Sequence, residues 1–404
     1  MRYDVVVVGG GAAGFFTAIN IAEQNPRLKV VIIERGKEVL SKVRISGGGR
    51  CNVTHACFDP KEFTQFYPRG AKELLGPFHQ FCSGDTIGWF SDRGVALKIE
   101  SDGRMFPESN ASQTIIDCFV QSAQKAKIEV LTSCSVQQVF QKDASWKLDT
   151  TLGGVETSAI VFASGSNPKM WDLLSQLGHR IITPVPSLFT FNIKDSRIQD
   201  LMGVSALATV TIKESGLEAT GPLLITHWGM SGPGILRLSA WGARELSAKN
   251  YQFLLGVNWL PDETEVSALN VLQELKEVHS KKVVSKKSPF DFPNRLWERF
   301  VLAAGIAIDK KWADTSKKEL QLLASQLTNA SFKVNGKSTF KEEFVTAGGI
   351  DLKEVNFKTM ESKLLPNVFF AGEILNIDAI TGGFNFQNAW TTGFLAAQAL
   401  SKIK

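Results

Sequence analysis

The first eight positions set the pattern for both ends of the chain. Residues 3–8 (Tyr-Asp-Val-Val-Val-Val) carry β-branched side chains on both faces, which predicts a short strand buried on both sides. A glycine turn follows. Ala13 to Glu23 then reads as a helix, and Leu28 to Ile33 as a second buried strand ending at Glu34. Strand, turn, helix and strand within about thirty residues is the size of a βαβ unit. Further on, Ser46 to Asn52 is a second glycine-rich loop, and Ser112 to Lys127 reads as a helix with Ser112 as its cap. Strand-like stretches at 129–140, 147–149 and 159–163 lead to a strong turn signal at Ser164-Gly165-Ser166-Asn167-Pro168.

The pattern changes after Pro184 and Pro186. Phe189 to Ile193 and Ala206 to Lys213 alternate as antiparallel strands do. Residues 262–328 become helical, polar and lysine-rich. Ser331 to Val345 returns to strand, with Asn335-Gly336 read as a hairpin turn. The chain closes with a buried strand at 367–371 and an alanine-rich helix over 389–403. These elements predict an α/β fold: a nucleotide domain built from both chain ends around a middle insertion.

Composition narrows the class. A chain of 404 residues, 44% apolar and 21% charged, has ordinary globular balance and ample core material. The net charge of +5 is mild, and a nucleic-acid binder more often carries concentrated basic stripes, so nucleic acid is not the expected partner. The one basic cluster, at 276–287 with Lys281, Lys282, Lys286 and Lys287, reads as a solvated helix face or as a contact surface for an acidic partner. The cysteines at 51, 57, 82, 118 and 134 form no C-x-x-C pair and are odd in number, which points to reduced thiols in the cytoplasm. Scattered histidines without metal-ligand spacing argue against zinc. The first strand leaves no room for a signal peptide, and no apolar run reaches the ~18 residues of a membrane span.

Three motifs carry chemistry. The first is Gly9-x-Gly11-x-x-Gly14, preceded by a strand and continued by a helix that includes Ala13. Gly9 permits the tight turn, Gly11 lets backbone approach a pyrophosphate, and Gly14 lets helix and strand pack closely. Glu34 can accept from both ribose hydroxyls and would repel a 2′-phosphate, which favours FAD or NAD over NADP. The second motif is Ser46-Gly47-Gly48-Gly49-Arg50-Cys51-Asn52. Its glycines allow close approach of a flat ring or phosphate, and Arg50 could neutralise a phosphate or a substrate carboxylate; a flexible surface loop is the alternative. Cys51 has no partner cysteine at a redox spacing. The third motif joins Gly372-Glu373 and Asp378 to Thr381-Gly382-Gly383-Phe384-Asn385-Phe386-Gln387-Asn388. A helix N-terminus there can stabilise negative charge at the pyrimidine end of a flavin. Together the second and third loops select FAD over NAD.

These segments, with THWGMSGPGILRLS at 226–239, TAGGI at 346–350 and TMESK at 359–363, resemble the bacterial family of FAD-dependent oxidoreductases that includes aminoacetone oxidase and the BaiN proteins. The resemblance implies a glutathione-reductase-like FAD domain over 1–188 and 344–404. It also implies a β-rich, barrel-like substrate domain over 189–258 and 330–343, and a helical insert over 259–329. Carried over by position, Gly9, Gly11 and Gly14 match the phosphate loop, and Glu34 and Arg35 the ribose end. Gly49, Arg50, Cys51 and Asn52 match the second flavin loop, and Val136 a backbone position at adenine. Gly372, Glu373, Gly383, Asn385, Phe386 and Gln387 match the flavin-ring segment. The family's usual A-T-G-G strand end is Ala163-Ser164-Gly165-Ser166 here, and a usual tyrosine is Phe384.

The expected activity is hydride transfer between FAD and a small organic substrate of the amine, ketone or enone class. Oxygen would reoxidise the flavin, or NAD(P)H would serve as a transient co-substrate. A flavin-dependent RNA-modifying enzyme and a non-catalytic flavin binder are the alternatives. His227 and Glu373 are the candidates for general acid or base. His227 and Trp228 either line a substrate pocket or form a turn with Trp228 packed as core.

Overall fold

The computed structural model describes residues 1–143, 145–339 and 345–402. They form two compact units, one from both chain ends (1–185 with the residues after 340) and one from residues 186–340. The expected boundary at 343/344 lies outside the described residues.

The first unit is built on a parallel sheet whose centre is the opening strand Arg2–Val8. Val30–Ile33 and Glu129–Leu131 extend it on one side, and Gly153–Phe162 and Val368–Phe370 on the other, all parallel. Register decides what this sheet can do. Val8 pairs with both Ile33 and Phe162, and Phe162 pairs with Phe370. Four strands therefore end in one row, and the next residues (Gly9, Glu34, Ala163 and Ala371) emerge along one edge. The carboxyl edge of a parallel sheet is where such folds bind ligands. The strand Gly153–Phe162 serves two sheets: its first half pairs antiparallel with Ser145–Thr150, its second half parallel with Arg2–Val8.

Two helices pack against each other and against this sheet, Ala12–Gln24 and Phe384–Leu400. They pack closely because Gly393 has no side chain; a Cβ there would lie 2.7 Å from Thr17 Oγ1. The final helix begins five residues earlier than its apolar pattern predicts, since Gly383 adopts φ +93° and turns the chain directly into helix at Phe384. Ser112 is not a cap. Ala111 holds that position, and the Ser112 hydroxyl donates to the Arg44 carbonyl at 2.7 Å instead. A small sheet of Thr54–His55, Leu97–Ile99 and Arg104–Pro107, without a clear periodic signal, adds a wall beside the second glycine loop.

The second unit is a closed six-stranded antiparallel barrel with its apolar core inside, including Phe191, Val210, Leu223, Met230, Leu255 and Phe332. Helices Glu265–Val278, Asn294–Ala303 and Lys317–Thr328 contribute Leu272, Trp297, Phe300 and Leu323 to the same core. Asn335-Gly336 makes no hairpin. It lies within the continuous strand Ala330–Ser338, where Gln252 pairs opposite Asn335 and Gly336 N–H donates to the Tyr251 carbonyl. Closing the barrel requires a long strand there, and Gly336 absorbs the bend with φ +100°. Among the described residues, no helix is long and apolar enough to cross a membrane.

Candidate FAD site

The three glycines of the first motif meet three different constraints. Gly9 has φ +116°, and a Cβ there would sit 2.5 Å from the Ala163 carbonyl oxygen. At Gly14 the Cβ would come within 1.9 Å of Gly9 O, so only glycine lets the helix start against the turn. Gly11 faces open space, with nothing within 4 Å of its Cβ position. The helix that Gly11 caps has no side-chain cap and no acid in its first turn, so its first N–H groups are left for an anion. The helix Phe384–Leu400 has the same character behind Gly383.

Gly9, Glu34, Arg35, Val136 and Ser164 line one cleft at the strand ends, so residues from four separate segments converge there. Glu34 is held rather than loose: its carboxylate accepts from Gly10 N–H at 2.7 Å and Gly36 N–H at 2.6 Å. Each oxygen keeps acceptor capacity for a ribose hydroxyl. The Ser164 hydroxyl is buried with no protein partner among the described residues. A buried orphan in a cleft beside a pyrophosphate turn fits a group that accepts or donates a hydrogen bond, and FAD has such groups at its phosphates and ribityl chain.

The other two loops are tied to each other. The Asn52 side-chain amide, with its nitrogen toward the carbonyls of Thr54 and Met105, accepts from Gly383 N–H at 3.0 Å. Gly383 itself abuts Thr54, whose carbonyl would be 2.5 Å from a Cβ. Gly48 and Gly49 have φ +67° and +82° and face open space, leaving backbone available to a flat ring. Gly372, at φ +74°, packs against Ala13 and so joins the third loop to the first helix.

Several predicted side chains are engaged elsewhere. The Arg50 guanidinium donates to Glu100 at 2.6 Å and stacks over the Phe106 ring, so it is not a free phosphate ligand. Cys51 is fully buried with φ +62°, and desolvation raises its thiol to about 12, which removes it from thiolate chemistry. Gln387 is a buried hub: its carbonyl oxygen accepts from Thr54 and Thr86, and its amide donates to Thr391. Asn385 braces the 379–380 backbone by bonding both Ala379 N–H and Ala379 O. Phe386 stacks on Trp390. These side chains shape the loop from within. Glu373 is paired with Lys42 at 2.6 Å and lies beside Gly165, 3.6 Å from its Cβ position. Its other carboxylate oxygen accepts from Thr346 N–H at 3.3 Å. His227 and Trp228 are exposed on the second unit, Trp228 at 53%, which overturns the core reading of Trp228.

Region 54–110 brings in residues that the motifs did not single out. His55 stacks on Phe384 with centroids 4.7 Å apart, and Phe66 covers the same ring at 4.2 Å. His55 Nε2 donates to the Asp102 carbonyl, which leaves Nδ1 of the neutral ring unprotonated, buried and without a partner among the described residues. Burial pushes its pKa down, so it is neutral. Arg69 forms a buried ion pair with Asp378 at the root of the third loop. His55 follows the second motif closely in sequence and Asp378 belongs to the third, while Phe66 and Arg69 lie in a segment without a motif.

A doubly covered parallel sheet with this glycine turn and two further loops on its carboxyl edge is the Rossmann FAD-binding fold, and the protein is an FAD-dependent oxidoreductase. Residues 3–399 match the family described as HI0933-like protein Rossmann domain, and the chain belongs to that family. It is 28% identical over 414 aligned residues to the ribosomal RNA dihydrouridine synthase of Escherichia coli K12, covering 100% of this chain and 99% of that one. It is 24% identical to the 3-dehydro-bile acid delta(4,6)-reductase of Clostridium scindens, covering 98% of each. The fold is shared with the 3-ketosteroid-delta4-(5alpha)-dehydrogenase of Rhodococcus jostii RHA1, at TM-score 0.54 and 14% identity over 100% of this chain and 97% of that one.

Proposed function

We propose that this flavoprotein reduces a carbon–carbon double bond conjugated to a carbonyl, and that the uracil ring of RNA is its substrate class. The observation that carries this reading is end-to-end similarity to two reductive enzymes with unlike substrates. A uracil ring and an unsaturated bile acid share an enone-type double bond, to which a hydride and a proton are added. The RNA-directed relative is the more similar of these two.

Bound FAD would supply the hydride at its N5. The chain's own residues would hold it as follows. Gly9, Gly11, Ala13 and Gly14 take the pyrophosphate at the helix N-terminus, and Glu34, Arg35 and Val136 take the adenosine end. Ser164 and Gly165 would hold the middle of the cofactor. Gly49, Asn52, Gly372, Gly383, Asn385, Phe386 and Gln387 build the ring end, mainly through backbone. The uncapped N-terminus of helix Phe384–Leu400 would favour negative charge at the pyrimidine end of the ring. NAD(P)H is the transient donor in this reading.

Holoenzyme mixed with NADH or NADPH under nitrogen, with unmodified ribosomal RNA present, tests it. The expected result is rapid bleaching of the flavin band and a mass gain of two hydrogens on uridines. Bleaching without any RNA mass change, together with loss of the absorbance of a steroid-like enone, would replace RNA with a small free substrate. That second reading rests on the bile-acid reductase relative.

A further inference from the structure

The net positive charge of this protein sits in one stretch. Residues 276–318 hold eleven Lys and Arg against five Asp and Glu, a net +6, while the whole chain is +5; the remaining residues are thus slightly acidic. The lysines at 281–287 within it do not lie on the α-helix face that their composition suggests. Helix Glu265–Val278 ends before the cluster, and Lys281, Lys282, Lys286 and Lys287 lie exposed on the turn and short 3-10 helix that follow.

This turn is rigidly mounted. Trp312 N–H donates to the Lys282 carbonyl at 3.0 Å, Val284 N–H to the Lys310 carbonyl at 2.9 Å, and Val283 bridges to Lys311. Exposed Lys311 is thereby brought beside Lys281 and Lys282, although it is distant in sequence. Beneath them Val284 is buried, Trp297 Nε1–H donates to the Val284 carbonyl at 2.8 Å, and Trp297 stacks near Trp312. Among the described residues, none of Lys281, Lys282, Lys286, Lys287 and Lys311 forms an ion pair, whereas neighbouring Lys310 is committed to Glu319. Flexible lysines on a solvated surface gain little from order. Five uncommitted ammonium groups on a fixed backbone form a surface that a polyanion can neutralise without first breaking protein contacts.

We infer that the lysines at 281, 282, 286, 287 and 311 form a docking surface for the phosphate backbone of RNA. This rests on the RNA reading above, and it assigns the binding step to the second unit rather than to the FAD-binding unit.

The test compares FAD-loaded wild-type protein with the variant K281E/K282E/K286E/K287E and with a control, K72E/K125E, bearing exposed lysines of the first unit. The probe is protein-free ribosomal RNA titrated over a range of salt concentrations. The expected result is an affinity loss of at least about tenfold for the quadruple variant. Its slope of log K against log salt should be shallower by about 3, since each lost single-strand phosphate contact removes ~0.7. FAD content and flavin bleaching by NAD(P)H should match the wild type, which shows that the variant is folded. Wild-type-like affinity and slope in the quadruple variant would overturn the inference and leave the RNA reading standing. Absence of RNA binding by wild-type protein at low salt would overturn both.

Discussion

At the level of single residues, the glycine turn separates what the fold requires from what the cofactor requires. Gly14→Ala places a methyl group against the Gly9 carbonyl, and the turn has no room to move. We expect it to destabilise the protein by about 3 kcal/mol, read as the urea midpoint of the apoprotein. Gly11→Ala meets nothing within 4 Å and its backbone is extended, so the apoprotein should keep its midpoint. If the open space at Gly11 takes the pyrophosphate as proposed, the same methyl group would crowd it, so FAD affinity should fall at least about tenfold, measured by fluorescence titration. Equal loss of stability in both variants would refute this division. Ser164→Ala gives the complementary case. It removes a buried hydroxyl that has no partner among the described residues, so the apoprotein should be unchanged or more stable by about 1 kcal/mol while FAD binds more weakly. Cys51 should resist maleimide labelling at pH 8 in the folded protein, because burial holds its thiol near 12. Labelling at the rate of an exposed thiol would contradict that.

Among the elements, helix Lys317–Thr328 offers a pH test. Its capping box joins Ser316 and Glu319, and Glu319 also takes Lys310 at 2.8 Å. The hydrogen bond from Lys310 is the largest cause that lowers the Glu319 carboxyl from 4.5 to about 2. A depressed carboxylate contributes stability above its unfolded value, and loses it as pH falls through the folded one. Glu319→Gln should therefore lower the Tm by roughly 2–4 °C at neutral pH, the size of a lost cap. The gap should hold down to about pH 4.5 and close towards pH 2, measured by thermal scans. A pH-independent gap would show that the charge is not the cause. Elements differed in how far they were legible. The opening strand and helix could be read from local periodicity alone. Asn335-Gly336 could not, because its turn propensity is outweighed by the pairing of Ala330–Ser338 with Gln252–Asn258 and by barrel closure. The start of the final helix was hidden in a glycine- and asparagine-rich run that reads as loop until Gly383 is seen to cap it.

For the whole molecule, the cofactor is part of the stability. A ligand that binds only the folded state adds about 2.7 kcal/mol at a hundredfold excess over its Kd. Stripping FAD should lower the Tm, and adding it back should restore the Tm in a concentration-dependent way; a Tm indifferent to FAD would contradict the cradle described above. The sequence alone determined the local features of this protein: strands β-branched on both faces and so buried on both sides, a turn that only glycine can make, and an acid at the end of the second strand. These depend on neighbours along the chain, so they can be read along it. Tertiary structure decided which side chains remain free to act. Arg50 goes to Glu100, Glu373 to Lys42, and Gln387 to Thr54 and Thr86, while among the described residues the Ser164 hydroxyl has no partner and the lysines at 281, 282, 286, 287 and 311 form no ion pair. Each such pairing joins segments far apart in sequence, and a carboxylate or guanidinium looks the same in a motif whether or not its partner is already in place.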